Sequence, residues 1–308
     1  SKMKYTKIGK TGFDVSTIAL GTWALGSDFY GEVELKSAID TLHAAVDCGI
    51  NLVDTAPNYG NSEEVLGKAL AGIRDKVVLA TKCGCLKYPG GSYKLLTPVS
   101  MRLQLEESLR RLNTDYIDLY QIHYPDKNSS MEVAYETMNK FVKEGKIRAW
   151  GVCNHTVPEA LMAADFGAAS IQLQYSLTKR RIERDILPVS KANDLSVMAY
   201  GTMIGGLLSG KYVGPKSISA TDRRPMFYTE FKEENWPKSE KLIAAVREVA
   251  EARGVSMPNV AVNWALSSPY VSIALVGAKS PEQAKANAEA VSFQLSADEI
   301  AKLNAASF

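Results

Sequence analysis

The chain has 308 residues, 46% hydrophobic and 23% charged, the balance of a globular protein. Its formal charge of +2 leaves no basic excess for a nucleic-acid backbone, and no run is apolar for long enough to span a bilayer. Four cysteines (Cys48, Cys83, Cys85, Cys153) are too few for a disulfide framework in a chain this long, and with His43, His123 and His155 they show no metal-ligand spacing.

The opening SKMKYTKIGKTGFDV lacks the apolar core of a signal peptide, which with reduced thiols predicts a cytoplasmic protein. Strand-like runs then follow in order: STIAL (16–20), INLVD (50–54), VVLATK (77–82), IDLYQIH (117–123), IRAWGV (147–152), SIQLQ (170–174), SVMAY (196–200) and SIALV (272–276). They read as apolar on both faces, as parallel strands covered by helices do. Cys83 and Cys85 read as a pair on one strand end.

Helical patterns lie between them. Leu35, Ile39, Leu42 and Val46 repeat at helical spacing before Gly49. Thr97-Pro98 reads as an N-cap and first-turn proline ahead of Met101, Leu105, Leu109 and Leu112. Two more patterns close on Gly145 and Gly254. About eight strand-then-helix units without a composition break predict a single-domain (β/α)8 TIM barrel over residues 1–308. The rival doubly wound sheet wants a G-x-G-x-x-G after its first strand, and STIALGTWALG has none.

In a barrel the chemistry sits at the C-terminal ends of the strands. Asp54 ends the second run, Lys82 the third and His123 the fourth, while Tyr59 follows in the loop DTAPNYG. Taken singly, each has a bland role: Asp as a helix cap, Tyr as packing, Lys as a solvated charge, His as a satisfied core residue. Together at successive strand ends they form an acid/base set. Lys82 is expected to lower the Tyr59 pKa, Asp54 to compensate Lys82, and His123 to orient a substrate oxygen. Proton donation to a carbonyl oxygen has hydride delivery as its partner step, which a nicotinamide cofactor performs.

The segments NLVDTAPNYGNSEEVLGKAL, VLATKCG, YIDLYQIHYPD, GKIRAWGVCN, IQLQYSL, VMAYGTMIGGLLSGKY and LVGAKSPEQAKAN, with the opening KIGKTGFDVSTIALGTW, resemble the aldo-keto reductases over nearly the whole length. The resemblance implies the barrel fold, reduction of aldehydes and ketones, and a catalytic tetrad of Asp54, Tyr59, Lys82 and His123 with Tyr59 as proton donor. It implies NADPH as cofactor, with NADH use allowed. Asn154 and Gln172 match residues that hold the nicotinamide carboxamide, and Cys153 stands where the family often has serine, a better hydrogen-bond donor. Tyr200 matches the aromatic that stacks on the nicotinamide. GTMIGG (201–206), with Gly201, Thr202, Met203 and Gly205, matches the loop over the pyrophosphate. Gly21, Thr22, Trp23, Asp54, Lys211 and Gly277 complete the expected groove.

Lys279 and Ser280 match the pair that reaches the adenosine 2′-phosphate, and Asn287 an adenine contact. The family's arginine on that helix is Gln283 here, which weakens a preference for NADPH. Substrate walls are expected from Trp23, Tyr59, Tyr88, His123, Tyr124 and His155, with Phe227 and Tyr228. The charged stretch 222–237 that carries these last two reads either as a solvated loop or as a lid over the mouth. The partner is thus a small carbonyl compound, with neither nucleic acid nor membrane. Some family members instead bind cofactor as regulatory subunits of potassium channels with slow turnover; this chain's opening offers no plug segment.

Two look-alike motifs carry no chemistry. GGLLSGKY (205–212) approaches a P-loop, but Tyr212 replaces the magnesium-binding Ser/Thr. YVGPK (212–216) matches a Y-x-x-x-K pair, but Gly214-Pro215 forbids the helix that pair requires.

Overall fold

The computed structural model describes residues 3–26, 35–88, 91–212, 214 and 224–308. The first two strands, β1 (Tyr5–Lys7) and β2 (Asp14–Ser16), pair antiparallel as a hairpin. Eight parallel strands then close a barrel in the order β3 (Ile18–Gly21), β4 (Leu52–Asp54), β5 (Val78–Cys83), β8 (Ile117–Ile122), β9 (Ile147–Cys153), β10 (Ser170–Gln174), β11 (Ser196–Tyr200) and β12 (Val271–Gly277), with β12 pairing back onto β3. A second hairpin, β6 (Cys85–Tyr88) and β7 (Gly91–Lys94), follows β5. The expected barrel is the one observed, and β10 and β11 carry the predicted limits.

The helices are α1 (Leu35–Asp47), α2 (Ser62–Ala69), α3 (Pro98–Arg111), α4 (Met131–Lys143), α5 (Val157–Asp165), α6 (Ile186–Ala192), α7 (Arg224–Phe227), α8 (Trp236–Arg253), α9 (Met257–Leu266), α10 (Pro281–Ala288) and α11 (Ala297–Ala305). Their ends follow local chemistry. The Thr97 hydroxyl accepts from the Ser100 N–H at 3.3 Å to start α3, with Pro98 in its first turn. Gly254 ends α8 with φ of 69°, where an L side chain would be strained.

Two apolar layers result from the period-2 alternation of each strand. Outward residues such as Leu79, Tyr120, Trp150 and Val197 pack under the helices. Inward residues Ala19, Leu52, Ala80, Leu119, Met198 and Ile273 fill the barrel. The β1–β2 hairpin adds Ile8, Phe13 and Val15 to this inner cluster. Gly9 N–H donates to the Ser196 hydroxyl at 2.7 Å, at the start of β11, so the hairpin seals the N-terminal end of the barrel. That plug was not predicted. The inner cluster leaves the C-terminal end to polar side chains.

Cys83 and Cys85 do not share a strand end. Gly84, at φ of 95°, separates them, so Cys83 is buried at the end of β5 and Cys85 opens β6, half-buried. All four cysteines are free thiols. No helix among the described residues is long and apolar enough to cross a membrane.

Candidate active site

Strand ends β4, β5 and β8 bring three of the expected residues together, and the turn after β4 adds the fourth. Lys82 Nζ donates to Asp54 Oδ2 at 2.7 Å, to the Thr55 carbonyl at 2.9 Å and to the Tyr59 hydroxyl at 3.1 Å. Three acceptors around one ammonium satisfy all its donors. Asp54 and Lys82 are almost wholly screened from water, whereas Tyr59 is half-buried. His123, one residue past β8, lies with its ring 6.1 Å from that of Tyr59.

The electrostatics depart from expectation at Tyr59. Lys82 does favour its phenolate, but burial is the larger influence and Asp54 adds to it, so the phenol is pushed up to about 12. Burial is the largest single influence on Lys82 and opposes its charge, yet Asp54 and the neighbouring Tyr59 and Cys153 together outweigh it, and the ammonium is held above its usual range. His123 is pulled down to about 3, by burial first and then by the Lys82 and Lys94 charges. It is a neutral imidazole at physiological pH, and its buried Nδ1 has no hydrogen-bond partner among the described residues.

Sequence reasoning missed Gln121. It lies two residues before His123 on β8, so the same alternation that aims His123 inward aims Gln121 inward. Its Nε2 donates to Asp54 Oδ1 at 2.9 Å, and that oxygen also accepts from Gln172 Nε2 at 3.2 Å. Lys94 was missed too: its Nζ lies 4.7 Å from the centre of the Tyr124 ring, which stacks on His123 at 4.6 Å.

Asn154 adopts φ of 56°, donates to the His123 carbonyl at 3.1 Å and accepts from the Tyr200 hydroxyl at 2.7 Å. Gln172, on β10, is buried beside Asp54. Cys153 is buried, its thiol raised by desolvation, and it points its hydrogen at Gln121 Oε1, 3.8 Å away. Its thiol is thus engaged with Gln121. Thr22 is likewise committed inward, donating to the Asp54 carbonyl and accepting from the Ser62 hydroxyl, and the Thr202 side chain is buried. Any groove contact from these two comes from backbone.

The turn after β11 is conformationally unusual. Gly201, Ile204, Gly205 and Gly206 all have positive φ, and Ile204 is β-branched, so strain is concentrated here. The N–H groups of Thr202, Met203 and Gly205 take no partner among the described residues. Met203 is half-buried and Lys211 exposed.

At the far end of the groove, Ser280 caps α10 by accepting from the Gln283 N–H at 3.1 Å. Gln283 Oε1 accepts from the Lys279 N–H at 2.8 Å, so Gln283 braces the turn in which it was expected to stand in for an arginine. Asn287 donates to the Gly277 carbonyl at 2.9 Å. Gly21 ends β3 beside Gly277.

Among the expected substrate walls, Trp23 stacks near Tyr59 at 6.2 Å and meets Phe227 edge-on at 6.5 Å. Phe227 thus packs against Trp23; residues 222 and 223 of the 222–237 stretch lie outside the described residues, as does the Tyr88 side chain. Tyr228 lies against Gly205, where an added Cβ would fall 2.6 Å from its ring. His155, also expected as a wall, is buried. Its Nδ1 contacts the Cys153 carbonyl and its Nε2 the Tyr135 hydroxyl, both at 2.9 Å, so it packs inside the helix layer. Tyr212 is buried against Phe231, which removes it from both look-alike motifs.

The parallel eight-stranded barrel is shared with known proteins. The Aldo/keto reductase family model matches residues 17–307. The chain is 37% identical to aldo-keto reductase YhdN of Bacillus subtilis, over 98% of this chain and 93% of that one. It is 33% identical to the NADH-specific methylglyoxal reductase of Escherichia coli, over 96% and 95%. The glycerol dehydrogenase AKR11B4 from Gluconobacter oxydans superposes with a TM-score of 0.90 at 34% identity, covering 98% of this chain and 94% of that one. The protein belongs to the aldo/keto reductase family.

Proposed function

We propose that this oxidoreductase reduces small aldehydes or ketones to alcohols, with Tyr59 as the proton donor. The observation that carries this reading is the buried Lys82 ammonium in contact with both the Tyr59 hydroxyl and the Asp54 carboxylate. A bound nicotinamide cofactor supplies the hydride that the side chains cannot.

The residues handle the proton. Tyr59 is protonated at neutral pH, as any phenol is, and burial raises it further, to about 12. As negative charge develops on the carbonyl oxygen, a stronger base forms beside the phenol and takes its proton. The phenolate left behind is 3.1 Å from Lys82, so the charge appears where a cation already waits. Asp54 fixes that cation. Neutral His123 keeps one ring N–H to donate to the same oxygen. In the reverse direction Tyr59 accepts the alcohol proton.

Features of the groove support a nicotinamide dinucleotide. Among the described residues, Oε1 of the buried Gln172 takes no partner and Asn154 keeps a second amide N–H, a complementary pair for a carboxamide. Tyr200, tethered to Asn154, provides a ring to stack on. The three backbone donors of the 201–206 turn suit a pyrophosphate. Lys279 and Ser280 at the start of α10 suit a 2′-phosphate, so NADPH is proposed. Gln283, and a relative that is NADH-specific, argue for NADH use as well. The names of the relatives favour three-carbon carbonyls and polyols as the first substrates to try.

The test is cofactor oxidation followed at 340 nm, with NADPH and NADH, on methylglyoxal, glyceraldehyde and aryl aldehydes. Tyr59→Phe should lose about 10²–10⁴-fold in kcat while still binding cofactor. Unchanged turnover in that variant refutes the acid role.

A further inference from the structure

We propose that Gln121 is a positioning residue that couples the carboxamide end of the cofactor groove to the Lys82–Tyr59 pair; this rests on the carbonyl-reductase reading above. Gln121 is fully buried on the inner face of β8, surrounded by the strands that carry Asp54, Lys82, Cys153 and Gln172.

The chemistry of Asp54 orients its neighbours. An ionised carboxylate only accepts, so each amide facing Oδ1 must present its nitrogen. Gln121 Nε2 does so at 2.9 Å and Gln172 Nε2 at 3.2 Å. The second Gln121 N–H reaches the Thr81 carbonyl at 3.5 Å. Gln121 Oε1 accepts from Gln172 Nε2 at 3.0 Å and from the Cys153 thiol at 3.8 Å. Every hydrogen-bonding capacity of Gln121 is thus committed. Both N–H groups of Gln172 are committed too, which leaves its Oε1 without a partner among the described residues.

An unbroken chain follows, from Gln172 Oε1 through the Gln172 and Gln121 amides to Asp54, Lys82 and Tyr59. An amide N–H bound at Gln172 Oε1 polarises that side chain and strengthens its donation to Asp54 and Gln121. The carboxylate is then held more firmly on Lys82. Without Gln121, Asp54 Oδ1 keeps a single donor and the Gln172 amide loses the partner that fixes its orientation. Cofactor affinity and proton donation therefore weaken together, which filling space alone would not cause.

Gln121→Leu and Gln121→Glu test this in the full chain, beside wild type and Tyr59→Phe. Cofactor affinity is read by titrating NADPH fluorescence, kcat is read across pH with a carbonyl substrate, and folding by thermal unfolding. Gln121→Leu should lose about 10- to 100-fold in kcat, the effect of one charge-assisted hydrogen bond, and bind NADPH several-fold more weakly. Gln121→Glu should regain activity as pH falls, because a protonated carboxyl donates to Asp54 as the amide does. On ionising it repels Asp54, so the profile shows an added apparent pKa that wild type lacks.

Wild-type kcat and affinity in a folded Gln121→Leu, or a wild-type pH profile in folded Gln121→Glu, overturns the coupling. Failure of both variants to fold also overturns it, since Gln121 is then a residue of the fold alone. If the Gln121 variants behave like wild type while Tyr59→Phe is inactive, only the coupling falls. If Tyr59→Phe turns over normally, the acid role fails and takes the coupling with it.

Discussion

Lys82 Nζ lies 2.7 Å from Asp54 Oδ2, and the two side chains are only 1% and 2% exposed. A buried pair of this kind is costly to break from one side, because the remaining charge keeps its desolvation penalty. Asp54→Asn and Lys82→Met should each cost about 3–5 kcal/mol in urea unfolding. The double variant should be less destabilised than the sum by roughly 1–3 kcal/mol, since neither charge is left alone. Strict additivity in the double-mutant cycle would mean the pair is not coupled.

His123 should make the fold acid-sensitive. Its folded-state value is held at about 3, against an ordinary value of 6.5. Between these values the unfolded chain binds a proton that the folded chain refuses. The stability associated with neutral His123 is full above pH 6.5 and is lost as pH falls toward 3. The slope is about 1.4 kcal/mol per pH unit, or roughly 2 kcal/mol between pH 6.5 and pH 5. Urea unfolding at both pH values should show that component in wild type and lack it in His123→Gln. Equal acid sensitivity in the two proteins would place the His123 ring in contact with water.

Gly205 is both conformationally and sterically constrained, with φ of 61° and Tyr228 across it. Gly205→Ala should cost about 1–2 kcal/mol from the left-handed backbone alone, and more from the contact with the ring. Adding Tyr228→Ala removes the second part only. The double variant should therefore be destabilised by less than the two single changes summed, as read from thermal midpoints. A fully additive pair would show that Tyr228 yields freely.

The Gln283 position separates the two cofactors. Gln283→Arg adds a guanidinium beside Lys279 and Ser280, suited to bidentate phosphate binding. The NADPH to NADH ratio of kcat/KM should rise by about tenfold, the equivalent of roughly 1.4 kcal/mol. The same change removes the side-chain acceptor from the Lys279 N–H, so the start of α10 should weaken by about 1 kcal/mol. No change in cofactor ratio would mean that the 2′-phosphate is held elsewhere or not at all.

Much of the site could be read along the chain because local patterns encode it. Asp54, Lys82 and His123 stand out because each follows an apolar run whose length and β-branching mark a strand, and a barrel gathers strand ends. Gln121 carried an equally clear signal in its two-residue offset from His123, but an amide has no distinctive chemistry until a carboxylate is placed beside it. The burial of His155 was illegible for the opposite reason. Its loop position suggests a pocket wall, and only the packing of α4 brings the Tyr135 hydroxyl to its ring.

What the amino-acid order determined by itself was the alternation of strand and helix, the caps that end the helices, and which side chains face inward at the C-terminal mouth. Those follow from backbone sterics and hydrophobic periodicity, which act between residues a few positions apart. Barrel closure decided the rest. It set Gln172 against Asp54, 118 residues away, plugged the far end with the β1–β2 hairpin, and buried Tyr59 deeply enough for desolvation to outweigh the Lys82 charge. Desolvation and hydrogen-bond partnership depend on the whole surrounding volume, and that volume exists only once the chain has closed on itself.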